Sequence, residues 1–248
     1  MKKQAFLTTS WDDGYPSDER IADLLTRYGL PGTFYVPLQS QRQVMETSQI
    51  RAISSAFEIG GHTIHHADLS KLSAEQARTE ISGCKEMLEE ITGKPCRMFC
   101  FPRGRHNSGH FQLVKESGFL GVRTVEMMSL AMPRFRGGLA VMPTTLQAQQ
   151  HGWFTYLKNI GKRSAFSNLG NVVVCAGNYD WVRCAERLLA HVSEHGGVFH
   201  LWGHSWELDA DNRWTELDQV FRFMANLKGV AQPATNAEVC EHLIPTAG

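Results

Sequence analysis

A chain of 248 residues, 42% of them hydrophobic, is long enough for one α/β barrel, a fold that often reaches this size as a single domain. Its 25 basic and 25 acidic residues give a formal net charge of zero, without a run of like charges, so we expect neither nucleic acid nor an anionic membrane surface as a partner. No apolar run approaches the ~18 residues of a transmembrane segment, and the apolar start is too short for a signal peptide. We therefore expect a cytoplasmic protein.

Strand-like apolar runs alternate with helical patterns along the chain. Strands are predicted at residues 5–9, 32–36, 57–61, 97–101, 119–122, 171–175 and 198–202. Helices are predicted at residues 17–28, 73–91, 107–117, 153–162, 179–195 and 214–228. Residues 123–152 show no clear pattern and are interpreted as a long active-site connection. Strands separated by helices indicate parallel βαβ units, which can close into a barrel or form a doubly wound open sheet.

The six cysteines lack the C-x-x-C spacing of a structural zinc site. We expect reduced and mostly buried thiols. This agrees with a cytoplasmic location, where disulfides are rare.

Two adjacent carboxylates, Asp12 and Asp13, follow the first predicted strand, at the end where active sites of α/β folds gather. An open doubly wound sheet would usually carry a Gly-rich phosphate loop at this place, so the carboxylates favour the barrel. Because successive side chains point apart, one aspartate can bind a cation while the other stays free as a base. The alternative is a simple turn, since Asp-Gly is a common turn dipeptide.

A histidine pair follows the third predicted strand. His62 and His66 are four residues apart, so on a helical turn they would lie on one face. Together with Asp13 they would give a metal three ligands and leave positions open, as catalytic sites do. His65 could replace His66, and an idle, solvent-exposed pair is the alternative.

Two motifs now carry a family resemblance. The sequence S-W-D-D-G at residues 10–14 resembles the T-F-D-D-G motif of the polysaccharide deacetylase family, carbohydrate esterase family four, and H-T-I-H-H at residues 62–66 matches its H-[ST]-x-x-H motif. The resemblance extends over roughly residues 5–207. It implies an α/β fold, a distorted (β/α)7-8 barrel with parallel strands. We expect residues 1–248 to form a single catalytic domain.

The resemblance also implies roles for individual residues. Asp12 would be the catalytic base, and Asp13, His62 and His66 the metal ligands. The segment C-F-P-R-G, at residues 100–104, stands in place of the family's R-x-P-Y-G motif, so Cys100 replaces the arginine that orients the base.

That departure leaves a question about charge. We hypothesise that Arg103 or Arg105 supplies the missing positive charge; the alternative is that both are surface arginines. Pro102, Arg103 and Gly104 are predicted substrate contacts, and the backbone N–H of Arg103 is a predicted oxyanion donor.

Two later segments resemble further family motifs. Tyr179-Asp180-Trp181 resembles a D-W motif of the family, in which the tryptophan forms a wall of the acetyl pocket. The alternative is that Asp180 lies near a helix N-terminus and Trp181 packs against it. His204 resembles the histidine that protonates the leaving amine, and Glu207 could raise its pKa.

Other side chains on the same strand and just after it are candidates for the substrate site. His200 is either a substrate contact or a hydrogen-bonded core histidine. Trp202 and Trp206 offer flat faces for sugar rings.

These observations predict a metal-dependent hydrolase that removes an N-acetyl or related acyl group from an amino sugar. Zinc is the preferred metal, and nickel, cobalt or iron would accept the same ligands. A cytoplasmic enzyme would act on a free, nucleotide-linked or lipid-linked precursor of a surface polysaccharide such as lipopolysaccharide O-antigen. The alternatives are a cyclic amide or ureide hydrolase of the same superfamily and a non-catalytic carbohydrate- or metal-binding protein. Residues 123–170 are predicted to set specificity.

Overall fold

The computed structural model describes residues 4–175 and 180–243. The strands are β1 (Ala5–Asp12), β2 (Thr33–Val36), β3 (Glu58–Gly61), β4 (Met98–Cys100), β5 (Gly121–Arg123), β6 (Arg134–Arg136), β7 (Leu139–Met142), β8 (Leu146–Gln147), β9 (Gly197–Gly203) and β10 (Gln232–Pro233). The helices are α1 (Asp18–Tyr28), α2 (Thr47–Ser54), α3 (Ala74–Thr92), α4 (Ser108–Glu116), α5 (Trp153–Arg163), α6 (Leu169–Cys175), α7 (Trp181–His195), α8 (Ser205–Asp211), α9 (Trp214–Asn226) and α10 (Asn236–Glu241).

One sheet contains these strands, in the order β6-β7-β5-β4-β3-β2-β1-β9-β8, with β10 paired to β1. Neighbouring strands are parallel except for β6 and β7. Strands β7 and β8 lie near opposite ends of this order, yet only residues 143–145 separate them in the chain. The run 139–147 thus pairs with β5 at its start and with β9 at its end, so the sheet curls into a barrel. The predicted α/β fold with a distorted, parallel barrel is confirmed.

The alternation of side chains along the strands sorts them into two sets. Leu7 and Phe34 belong to the large core between the strands and the surrounding helices. Phe6, Tyr35 and Cys100 belong to a second, smaller core inside the barrel, which residues of α10 also join. Asp12 has the same parity as Phe6 on β1, which places its carboxylate at the inner, carboxyl end of the barrel.

Helix boundaries follow the local signals closely. Ser73 and Gln76 form a capping box at the start of α3, where the predicted helix 73–91 begins. Gly29 and Gly93 end α1 and α3 in the left-handed conformation that glycine adopts without steric cost.

Two predictions of secondary structure are wrong. Residues 171–175 form part of helix α6 rather than a strand, because this valine run packs in a helical layer against α7 and leaves Val173 71% exposed. Residues 123–152 contain β6, β7 and β8, which are too short to show a period in the sequence. Tyr179, where the predicted helix 179–195 begins, lies outside the described residues.

Cys175 and Cys184 form a disulfide that links α6 to α7. The expectation of free thiols is therefore wrong for this pair, because a separation of nine residues carries no sequence signal although the two helices pack together. Cys84, Cys96, Cys100 and Cys240 are free and buried, as expected. With a disulfide present, the cysteines no longer support a cytoplasmic location. No helix in the described ranges is long and apolar enough to cross a bilayer.

Candidate active site

A cavity of about 470 Å³ opens at the carboxyl ends of the barrel strands. Ligand sites of α/β barrels lie at this end of the fold. Its lining residues are Asp12, Asp13, Arg42, His62, His66, Phe101, Arg103, Gly104, Val125, Met127, Gln147, Asn159, Trp202, His204 and Trp206. The structure therefore brings the two aspartates, both histidines of the pair and His204 together at one cavity.

Asp13, His62 and His66 form a set suited to a divalent metal. Asp13 Oδ1 lies 3.5 Å from Nε2 of His62 and 3.1 Å from Nε2 of His66. One ligand atom from each residue lies within 4.8 Å of the others. The hydrogen bonds of His62 and His66 outweigh burial and hold the pKa of the Asp13 carboxyl far below its usual range, so it is a carboxylate.

Groups behind the ligands fix their orientation. Nδ1 of His62 donates to the carbonyl oxygen of Cys100 at 2.8 Å, which leaves Nε2 as the free ligand atom. The indole N–H of Trp206 donates to Oδ2 of Asp13 at 3.0 Å, which leaves Oδ1 facing the histidines. Supporting hydrogen bonds of this kind are typical of metal ligands. The residues present therefore fit a divalent cation.

The two histidines do not lie on a helical turn, so the geometric reason given for their pairing is wrong. They belong to a loop in which Thr63 and His66 have positive φ angles of 66° and 50°. Asp13 also has a positive φ, of 77°. Non-glycine residues in this region cluster at functional sites, where surrounding contacts maintain the strain. His66 faces Asp13, whereas His65 points away and pairs with Glu80 at 2.6 Å.

Asp12 is paired with a buried arginine that the sequence analysis missed. Nη2 of Arg123 donates to Oδ1 of Asp12, and both side chains are almost fully buried. Burial alone would raise the pKa of Asp12, but Arg123 outweighs it and lowers the pKa, so Asp12 is ionised. The guanidinium carbon of Arg123 lies 4.9 Å from the centre of the Trp202 ring and 5.2 Å from that of Tyr35.

The hypothesis that Arg103 or Arg105 supplies this charge is wrong. Arg105 pairs with Asp68 at 2.6 Å and has a half-exposed side chain. Arg103 lines the cavity, but the buried partner of Asp12 is Arg123. Arg123 is the first residue of the segment 123–152, which shows no clear pattern. The one sequence feature that could have indicated its role is its position directly after the apolar run 119–122.

His204 lies next to the set formed by Asp13, His62 and His66. Its Nδ1 donates to Glu207 at 2.7 Å, and its Nε2 lies 4.0 Å from Oδ2 of Asp13. Burial alone would lower the pKa of His204, but the hydrogen bond with Glu207 outweighs it and raises the pKa, as the sequence predicted. Gln147 also donates to Glu207, at 2.9 Å, and so holds the carboxylate in place.

His200 is a core residue and not a substrate contact. It is buried inside the barrel, where Nδ1 donates to the carbonyl oxygen of Pro143 at 3.0 Å. That bond fixes the tautomer, so Nε2 accepts from the hydroxyl of Ser10 at 2.9 Å. Burial lowers the pKa of His200 to about 3, so the imidazole is neutral. The core alternative is the one observed.

Asp180 and Trp181 are also structural. Asp180 caps α7 by accepting from the backbone N–H of Val182 at 2.8 Å. Trp181 is buried and donates its indole N–H to Glu216, away from the cavity. The prediction that these two residues bind substrate is therefore wrong, and the helix-capping alternative holds.

The altered third motif still shapes the cavity wall. Arg103 and Gly104 line the cavity, whereas Pro102 is buried next to them in a short 3-10 turn. Gly104 has a φ of 61°, and a Cβ there would lie 2.2 Å from the side chain of Val125. Only glycine fits at this position. Of the predicted aromatic contacts, Trp202 and Trp206 line the cavity.

The fold has relatives among solved structures. A putative polysaccharide deacetylase from Mycobacterium smegmatis superposes with a TM-score of 0.71 at 18% identity, over 98% of this chain and 91% of that one. A carbohydrate esterase family four pseudoenzyme from Bacillus anthracis gives 0.56 at 14% identity, over 97% and 66%. The class of protein is thus that of the polysaccharide deacetylase fold.

Sequence comparison relates the amino-terminal half of the chain to one family. Residues 2–122 match the family model of polysaccharide deacetylase. The peptidoglycan-N-acetylmuramic acid deacetylase PdaA of Bacillus subtilis is 29% identical over 129 residues, which are 50% of this chain and 46% of that protein. Residues 2–122, just under half of the chain, are therefore similar to the polysaccharide deacetylase family. The chain spans about half the length of the curated relatives it matches, and the family match ends well before residue 207, the predicted limit.

Proposed function

We propose that this protein is a metal-dependent hydrolase that removes an N-acetyl or related acyl group from an amino sugar. The observation that carries the proposal is the ion pair of Asp12 with Arg123, next to the Asp13, His62 and His66 set in one cavity. The family match of residues 2–122 supports it, since the similar protein of Bacillus subtilis is named as a deacetylase of an amino sugar.

Asp13, His62 and His66 would hold the cation. Two imidazoles and one carboxylate suit zinc first, and nickel, cobalt or iron(II) would accept the same set. Such a cation supplies Lewis acidity, which polarises an acyl oxygen and makes water more acidic. The backbone of the protein places all three ligands on loops that follow β1 and β3.

Asp12 would act as the base. Its Oδ1 is occupied by Arg123, whereas the neighbour of Oδ2 is the thiol of Cys100 at 3.8 Å, a weak donor. Oδ2 is therefore the atom that can accept a proton from water as attack begins. Arg123 keeps the carboxylate ionised and fixes its rotamer.

His204 would protonate the departing amine. The carboxylate of Glu207 holds the proton on Nδ1, so Nε2 is the atom that faces the cavity and delivers a proton. A sugar amine is a poor leaving group until it is protonated, which is why an acid is needed on this side. The backbone N–H of Arg103, at the cavity wall, is the proposed donor to the developing oxyanion.

The substrate would be an acylated amino sugar, free, nucleotide-linked or lipid-linked, and a precursor of a surface polysaccharide such as lipopolysaccharide O-antigen. Trp202 and Trp206 give the cavity aromatic walls on which a sugar ring can stack. The cavity volume of about 470 Å³ is in the range of small-molecule sites.

A non-catalytic binding role is less well supported. The reason for that alternative is that Cys100 stands at the motif position of the arginine that orients the base, but in this structure Arg123 pairs with Asp12. A protein that only binds sugar has no need of an ionised base, an arginine partner and a histidine acid in one cavity. Hydrolysis of a cyclic amide would use the same groups. Analysis of the reaction products distinguishes it from deacetylation.

The test is acetate release from a panel of N-acetylated sugars, nucleotide sugars and oligosaccharides, after reconstitution with zinc. Acetate released from one class of substrate supports the proposal and identifies that class. No acetate from any N-acetylated sugar, together with opening of a cyclic amide, would replace it with the alternative hydrolase.

A further inference from the structure

Exposed apolar side chains are concentrated in one short segment. Among the residues that the structure describes, the large hydrophobic side chains most open to solvent are Met87, Phe135, Trp153, Phe154, Phe166, Leu169, Val173 and Val230. Five of these eight lie between residues 153 and 173, which form α5, a short 3-10 turn and α6. Single exposed hydrophobic residues are ordinary, but a group of this kind marks an interaction surface. We call residues 153–173 the α5–α6 surface.

The α5–α6 surface is basic as well as apolar. Phe154, Lys158 and Lys162 follow one another at intervals of four residues, so they form one exposed row along α5. The opposite face of α5 is buried through Tyr156 and Ile160. The sequence has no aspartate or glutamate at any position from 127 to 179. Zero net charge over the whole chain therefore conceals a local positive charge.

The same helix is fixed to the catalytic cavity. Asn159 lines the cavity and donates to the carbonyl oxygen of Val125 at 2.9 Å, while its own oxygen accepts from the N–H of Met127 at 3.0 Å. Arg163 donates to the carbonyl oxygen of Gly104 at 2.9 Å. The exposed row and one wall of the cavity thus belong to a single helix, which is hydrogen-bonded to Gly104, Val125 and Met127.

We propose that the α5–α6 surface docks on an anionic lipid bilayer. A helix with aromatic residues at one end and lysines on the same exposed face has the composition that lies at the headgroup boundary, where rings enter the apolar layer and ammonium groups meet phosphates. Leu169 and Val173 fit this partner, since aliphatic side chains gain from contact with acyl chains.

A polysaccharide fits the surface less well. Sugar rings stack on aromatic faces, but contact with aliphatic side chains stabilises them little. Their hydroxyl groups also donate hydrogen bonds to carboxylates in typical binding sites. The segment offers no carboxylate at all. A second copy of the chain would bring the same lysines against each other across a symmetric interface, which is unfavourable.

Docking in this way has a consequence for the substrate. Because α5 forms a wall of the cavity, the cavity mouth would be held close to the headgroups. If the proposed deacetylase function is correct, the acyl sugar would be carried on a lipid at that surface. The docking itself does not depend on the proposed function.

The test is sedimentation of the purified protein with vesicles of phosphatidylcholine, with and without phosphatidylglycerol. We expect binding to the vesicles that contain phosphatidylglycerol, and weaker binding in high salt. The double variant Trp153→Ser and Phe154→Ser should lower the partition coefficient about tenfold or more. Lys158→Gln with Lys162→Gln should lower it on anionic vesicles only. The matched controls are Val230→Ser and Lys71→Gln, which change exposed residues outside the surface and should have no effect.

Several outcomes would overturn the inference. The wild-type protein could remain in the supernatant, or the surface variants could bind as the controls do. Light scattering could show a dimer that the Trp153 and Phe154 variant abolishes, which would assign the surface to a second copy. Binding to insoluble polysaccharide that the same variant abolishes, without binding to vesicles, would assign it to a sugar polymer. Each result is independent of acetate release, so failure of docking and failure of the proposed function can be told apart.

Discussion

Cys100 and Arg123 are backbone partners in the parallel pairing of β4 with β5, and both side chains reach Asp12 from inside the barrel. Cys100 occupies the motif position at which the family resemblance leads one to expect an arginine. The positive charge beside the candidate base is thus present, but it comes from the neighbouring strand at the same level of the sheet. Two further nitrogens of Arg123, Nε and Nη1, have no hydrogen-bond partner within the described residues. Unsatisfied buried donors are unusual in a core and are more common where a site handles charge.

Moving the arginine back to position 100 tests this relationship. Arg123→Met should lower kcat by roughly a hundredfold or more with little change in KM, because the base loses its orientation but the cavity wall is retained. The double variant Cys100→Arg with Arg123→Met should recover part of that loss. Steady-state kinetics on the best N-acetylated substrate, with metal content and Tm for each variant, provide the measurement.

The control for that series is Arg105→Gln. Arg105 makes a half-exposed ion pair with Asp68, and such pairs contribute little to stability, so kcat and Tm should stay near the wild-type values. If Arg123→Met lowers Tm but leaves kcat intact in the folded fraction, the arginine is only structural. If the double variant regains Tm without any kcat, the same conclusion holds.

The histidine pair allows a matched comparison of neighbours. His66→Ala should lower zinc affinity by about tenfold to a hundredfold or more, because it removes a candidate ligand. His65→Ala should leave zinc affinity unchanged, since His65 faces Glu80 and solvent. Isothermal titration of the metal-free protein with zinc measures both. An equal loss of zinc affinity in both variants, or a loss in His65→Ala alone, would contradict the assignment of the two residues.

The hydrogen bond between His204 and Glu207 predicts a pH effect. The acid must be protonated to act, so activity falls as pH rises through the pKa of His204. Burial lowers this pKa and Glu207 raises it beyond the usual value, so Glu207→Gln should lower it and move the alkaline limb of the kcat profile to lower pH. A profile of kcat against pH for both proteins is the measurement. An alkaline limb that moves to higher pH would contradict the role of His204.

Trp181 distinguishes packing from substrate contact. Trp181→Phe removes a partly buried hydrogen bond to the Glu216 carboxylate and should lower the free energy of unfolding by about 1–3 kcal/mol, with KM unchanged. Trp202→Phe alters the cavity wall and should raise KM. Denaturant unfolding and kinetics of the two variants give the comparison. A raised KM in Trp181→Phe would indicate that Trp181 contacts the substrate and would contradict the purely structural role.

Much of the fold was predictable, because long helices and buried strands carry clear periods and caps. Ser73 and Gln76 are an example. The motif residues Asp12, Asp13, His62 and His204 were also predictable, since the ends of parallel strands meet at one edge. The short strands β6, β7 and β8 were not, since two to four residues cannot show a period.

Errors in the site have a common cause. Arg123 is close to Asp12 only through the pairing of β4 with β5, which no local pattern reveals. Asp180 and Trp181 matched a short motif, but a helix N-terminus uses the same two residue types for capping and packing. The motifs predicted which residues belong to the site, whereas the register of the strands determines which of their side chains contact one another.

The most direct test of the account is metal content together with acetate release for the wild-type protein, Asp12→Asn and Asp13→Asn. We predict about one metal per chain in the wild type and in Asp12→Asn, with acetate release lost in the latter by roughly a hundredfold or more. Asp13→Asn should lose the metal as well as activity. Acetate release by Asp12→Asn at the wild-type rate, or metal retained in full by Asp13→Asn, would contradict the assignment of the base and of the metal site.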